Sequence, residues 1–226
     1  MHSRAAAALI VAALALAPPV RGADPSEFSI AENKLFVDDH LRGVPAATTL
    51  QYSYTKRGSL EAPVDDVARV IVGPAQGGGR SVKVEYLTRT RALELGDIDA
   101  ANANPVILYF LERDIREMQR LTGGSTNYFR KRIRMALAEG AEVTAPTVDV
   151  ESRRVAATQI RIAPYRDDPA RSRYEKFADK TYVFTLSDEI PGKVVELHSE
   201  VLGPPTAQGK SPETIIAETL RYTGKR

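Results

Sequence analysis

Histidine is the scarcest side chain here that could do chemistry. Beyond the first residues of this 226-residue chain there are two, His40 and His198. His40 follows Asp38-Asp39, an order in which an acid could orient an imidazole for a metal or a triad. Ser187-Asp188 precedes His198 closely enough to suggest a nucleophile and its base, but nothing around it resembles a nucleophile elbow. Neither histidine has a second ligand at metal-binding spacing, so both read as structural. The paired acids Asp38-Asp39, Asp65-Asp66, Asp97/Asp99 and Asp167-Asp168 lack the spacing of a calcium loop and suit turns and caps. Gly77-Gly78-Gly79-Arg80 lacks the trailing Lys-Ser/Thr of a phosphate loop and joins two strands, so it reads as a hairpin turn. The chain has no cysteine, which removes thiolate nucleophiles, disulfides and Cys-type zinc or iron–sulfur sites. No catalytic residue, metal site or cofactor is expected, and a binding protein is favoured over an enzyme.

Two other constellations could bind something. Arg130, Lys131, Arg132 and Arg134 have no acid within helical reach before Glu139. Arg130, Lys131 and Arg134 are therefore candidates for an acidic envelope partner or anionic headgroup, the rival role being pairs with acids such as Asp167-Asp168. Tyr52, Tyr54, Tyr86, Tyr182 and Phe184 each alternate with polar neighbours. On a strongly curved sheet they could line a concave apolar surface for a lipid-like ligand; otherwise they are core.

The elements that must position these residues follow from periodicity. Alternation at Leu50/Tyr52/Tyr54, Ala68–Val72 and Val82/Val84/Tyr86 predicts three antiparallel strands. The period then becomes helical. Asn104 and Pro105 start a helix with Leu108, Leu111, Ile115 and Met118 on its apolar face, and Gly123-Gly124 stops it. Ser125 or Thr126 starts a second helix on Phe129, Ile133, Ala136 and Leu137, ending at Gly140. Strands resume at Val148 and Val150, at Ala156–Ile162, Tyr182–Leu186 and Val195–Val201, and finally at Ile215–Tyr222, with a charged loop at Tyr165–Asp179. Strands, a helix pair at 104–140, then strands make an α+β fold with one large curved antiparallel sheet.

The leader is the clearest signal of location. Arg4, the apolar run Ala5–Ala17, Pro18-Pro19 and the small exit Val20-Arg21-Gly22-Ala23 have the layout of a secretory signal peptide. Residues 1–23 are expected to be removed, leaving a single periplasmic α+β domain at 24–226 with no stable membrane span. The whole chain carries 31 Lys+Arg and 29 Asp+Glu. Removing Arg4 and Arg21 leaves 29 of each sign, a balance that argues against a nucleic-acid partner.

This layout of leader, meander from Thr48, helix pair at Asn104–Gly140 and returning sheet to Tyr222 resembles the unclosed β-barrel architecture of exported bacterial lipoprotein carriers. The resemblance is architectural and implies a hydrophobic groove under the helices. Three functions follow, in order: a carrier or binding protein for an apolar ligand, an accessory protein docking an acidic envelope partner through its basic helix, and a hydrolase using His40 or His198.

Overall fold

The computed structural model describes residues 28–77, 79–204 and 211–226. The leader read at 1–23 lies outside them, as do Gly78 of the glycine turn and part of the loop after Gly203.

The chain enters through α1 (Ile30–Glu32) and a wider helical turn at Asn33–Val37. Ser29 and Glu32 close a capping box, and Ser29 Oγ donates to the Leu137 carbonyl at 2.9 Å, fixing this segment to the second long helix. The meander follows as β1 (Thr48–Arg57), β2 (Val64–Gln76), β3 (Gly79–Tyr86) and β4 (Ile98–Ala101). The strand pair β2–β3 runs further into the glycine turn than the sequence suggests, through an irregularity between Val72 and Ala75.

Next come α2 (Val106–Thr122) and α3 (Thr126–Glu139). Asn104 Oδ1 accepts from the Val106 N–H at 3.2 Å, and Gly123 adopts a left-handed φ of 71°, so both expected boundaries hold. The second half supplies β5 (Glu142–Thr144), β6 (Thr147–Val150), β7 (Arg153–Ala156), β8 (Thr158–Ile162), β9 (Thr181–Leu186), β10 (Val194–Leu202) and β11 (Thr214–Lys225). Nine strands form one antiparallel sheet in the order β4-β3-β2-β1-β11-β10-β9-β8-β5, and β6 and β7 pair separately. The two ends of the sheet do not meet. The fold is α+β, with an unclosed sheet and α2 against its inner face.

Inward and outward positions alternate as the period of two demands. Thr48, Leu50, Tyr52, Tyr54 and Lys56 are buried along β1, with half-exposed residues between them. The charged loop at 165–179 departs from expectation, because Tyr165, Tyr174 and Phe177 are buried. Tyr165 and Tyr174 each meet the Phe129 ring edge-on, at 5.6 and 5.9 Å between centroids. They bind this loop to α3.

Candidate functional site

The space beneath α2 is filled, and partly by charge. Register places Lys56 opposite Glu218, Glu218 opposite Ser199, and Ser199 opposite Tyr182. These four make one polar row across β1, β11, β10 and β9. The residues Arg113, Asp114 and Glu117 of α2 lie over that row. Asp114 accepts from Lys180 Nζ, from the Tyr182 hydroxyl at 2.5 Å and from Ser199 Oγ at 3.2 Å. Lys56 Nζ donates to Glu117 at 2.6 Å, and Arg113 lies 3.3 Å from Glu218. Against the cost of burial, hydrogen bonds from Arg120 and Lys56 hold the Glu117 carboxyl down to about 2. Burial instead pushes Glu218 above the usual carboxylate range, against the pull of Arg113.

The five aromatics proposed for a ligand surface share this inner face. Tyr52, Tyr54, Tyr86, Tyr182 and Phe184 are each at most 1% exposed. They belong to the buried core, and Tyr86 also borders an open pocket at the β3 edge beside Arg89 and Tyr109. The Tyr52 hydroxyl accepts from Asn104 Nδ2 at 2.8 Å, so this ring also anchors the start of α2.

The apolar opening lies on the other side of α2. Leu108, Leu111 and Ile115 of α2, Ile133 and Leu137 of α3, and Phe36 enclose a groove of about 590 Å³. Phe28, Val37 and Leu95 complete its walls. Leu108 is 50% exposed and Phe28 60%, which is unusual for side chains that large, and Val37 and Leu95 are similarly open. By the helical spacing of apolar residues, Leu108 is expected on the buried stripe of α2. It faces the groove because Phe110, Asp114 and Met118, four apart, take the sheet-facing stripe.

The basic helix contributes to the same groove. Arg130 and Arg134 both line it, with Glu32 and Glu112. Arg130 meets Glu112 at 2.9 Å, and Arg132 turns away to Asp168, also at 2.9 Å. Lys131 and Arg134 form no ion pair among the described residues. The patch thus divides: two cations pair inside the fold, and Arg134 stands unpaired beside apolar walls.

Both histidines are held by bonds within the fold. His40 Nδ1 accepts from the Asn104 N–H at 3.0 Å and Nε2 donates to the Lys34 carbonyl at 2.7 Å, so both ring nitrogens are committed to backbone. His198 Nδ1 lies 2.9 Å from Thr219 Oγ1, while Ser187 Oγ donates to the Ala156 carbonyl. Among the described residues no hydrogen bond joins a serine to either histidine, and no three potential ligands are grouped for a metal ion.

His40 gives a pH prediction. Its two bonds require a neutral ring, one nitrogen accepting and the other donating. Burial, with Lys193 adding to it, pushes the imidazole below its ordinary value despite the Lys34 carbonyl, Asp38 and Asp39. The unfolded chain therefore binds the proton first, and stability falls as pH drops below ~6.5 towards the lowered value. Melting temperatures measured from pH 7.5 to 5 should decline more steeply across that window in the wild type than in His40→Ala. A wild-type profile without the decline would refute the assignment.

No family model matches the chain, and no curated protein does. Among solved structures, the lipoprotein LppX of Mycobacterium tuberculosis is 13% identical with a TM-score of 0.30, over 82% of this chain and 88% of its own. A LolA-superfamily protein of Nitrosomonas europaea is 9% identical with a TM-score of 0.22, over 83% and 89%. Likenesses this distant carry no argument about ligand or activity. No described helix is long and apolar enough to cross a membrane.

Proposed function

We propose that residues 24–226 act, after export to the periplasm, as a non-enzymatic binding or carrier protein for an amphipathic, lipid-like ligand. The ligand's apolar part lies in the groove between α1, α2 and α3, and its acidic end meets Arg134 and Arg130. One observation carries the reading: exposed Phe28, Val37, Leu95 and Leu108 converge on a single groove that also holds Arg134, which forms no ion pair among the described residues. Isolated exposed apolar residues need no explanation, whereas a contiguous set rimmed by charge marks an interaction site. The two ligand features read from the sequence, apolar surface and basic helix, are thereby assigned to one place. The apolar surface is the outer groove rather than the aromatic inner face.

The test is a titration of the leader-free protein with a fluorescent polyene fatty acid, displaced by palmitate. Saturable binding is expected. Leu108→Glu should weaken it at least about tenfold, because a carboxylate would meet the tail in place of the ~1.5–3 kcal/mol that a buried leucine contributes. Arg134→Gln should weaken it less and reduce its salt dependence, with Arg130 supplying the remainder. Circular dichroism should show both variants folded, since Leu108 and Arg134 are open to solvent. Equal affinity of Leu108→Glu and wild type would sink the groove. Native mass spectrometry of protein purified from its own compartment would identify what it carries.

A further inference from the structure

A second pocket, on the flank of α2 and independent of the groove, carries a different chemistry. Lys56 of β1, Arg91 of the loop after β3, and Arg113, Arg116 and Arg120 of α2 line about 410 Å³. Only two acids, Glu61 and Glu117, share the lining. We propose that this pocket binds a phosphate group, as a phosphomonoester or a lipid headgroup.

Two observations carry it beyond a solvated charge cluster. The cations are held in place by acids set beside or behind them. Arg91 places Nε and one Nη on Asp66, at 2.9 and 2.8 Å. Arg120 uses Nε and one Nη on Glu117, at 3.0 and 2.8 Å, and also reaches Glu61. Arg116 uses only Nε, on Glu112 at 3.3 Å. Each guanidinium is therefore fixed at one end while an Nη group stays unspent: one on Arg91, one on Arg120 and both on Arg116. Fixed, planar donors from separate elements match the oxygens of a tetrahedral dianion, and little side-chain entropy remains to be lost on binding.

The second observation is that these donors converge from separate elements on one pocket. Lys56 at the base is 5% exposed and already spent on Glu61 and Glu117, so the donors left for a ligand are the arginine Nη groups. Internal pairing alone explains Arg120, which also suits the negative end of α2. It does not explain why Arg91, from a loop far along the chain, and Arg116 line one pocket with Nη groups to spare.

The test is calorimetric titration of the leader-free protein with inorganic phosphate, against sodium chloride at equal ionic strength, with dihexanoyl phosphatidate as a second arm. One saturable site is expected, weakening as salt rises. Arg91→Gln combined with Arg116→Gln should lower affinity at least about tenfold, the loss of charge-assisted hydrogen bonds. The outer-face variant Arg221→Gln should retain it. Arg116 is exposed, but Arg91→Gln takes the cation from Asp66, whose side chain is 2% exposed, so the double variant should melt lower while Arg116→Gln alone should not; if the double variant does not fold, Arg116→Lys, which keeps the charge and loses the fork, should bind with intermediate affinity. Binding of phosphatidate alone, lost in the same variant, supports the site and assigns the phosphate to a headgroup. Binding of neither, or binding that the arginine variants leave unchanged, overturns it. Because Leu108 lies outside this pocket, failure here leaves the groove reading standing.

Discussion

Replacing Asp114 with alanine should cost about 3–5 kcal/mol, the range for removing one partner of a buried ion pair. The variant takes the acceptor from three donors at once: Lys180 Nζ, the Tyr182 hydroxyl and Ser199 Oγ. Lys180, 1% exposed, then has no carboxylate, and its ammonium keeps only the Tyr182 ring, 5.6 Å from the ring centroid. A cation–π contact is worth ~0.5–2 kcal/mol and cannot offset the stranded charge. At ~2–4 °C per kcal/mol for a chain of this size, the melting temperature should fall by roughly 10 °C. The informative partner is Asp114→Leu with Lys180→Met. Removing both charges abolishes the desolvation penalty together with the attraction, so the double variant should be markedly more stable than Asp114→Ala. A double variant as unstable as the single would mean that the cost lies in shape, not charge.

The second large effect separates the four cations of α3. Arg132→Gln should lose about 2–4 kcal/mol, because Asp168, 2% exposed, would keep only neutral donors. Those donors are the Tyr128 hydroxyl at 2.5 Å and the Ala170 N–H at 2.8 Å. The triple variant Arg130→Gln, Lys131→Gln, Arg134→Gln should lose about 1 kcal/mol or less, since its one ion pair is partly exposed. pH supplies a further check. Against its burial, the Tyr128 hydroxyl, the Ala170 N–H and Arg132 hold the Asp168 carboxyl below its ordinary value. Stability from a lowered carboxylate is present above the unfolded value and is lost as pH falls through the folded one. The gap between wild-type and Arg132→Gln melting temperatures should therefore narrow at acid pH. A gap that stays constant, or a triple variant as damaged as Arg132→Gln, would refute this division of roles.

Some of the polar interior is legible in the sequence. On α2, Glu112–Arg116 does form as spacing predicts, at 3.3 Å. Arg113–Glu117, equally well spaced, does not. Arg113 reaches Glu218 and Glu117 reaches Lys56, partners 105 and 61 residues distant in the chain. The signal was parity. Lys56 continues the inward series Leu50, Tyr52, Tyr54, Glu218 sits between inward Ile216 and Leu220, and Asp114 lies four residues from both Phe110 and Met118. Charges on an apolar stripe in three separate elements are each an anomaly, and they explain one another only when brought together.

Periodicity by itself determined the α+β class, the strand faces, both long helices and the capping by Asn104, because these depend on residues within a few positions of each other. It could not determine which face of α2 meets the sheet, because the helix has apolar residues on two sides. Tertiary structure decided that by pairing Arg113, Asp114 and Glu117 with the polar row, since charges leaving water need partners more than Leu108 needs cover. That choice turned Leu108 outward and opened the groove. It also gave Arg132 an internal acid and left Arg134 without one, a distinction between two residues of the same helix that depends on where a distant loop happens to place Asp168.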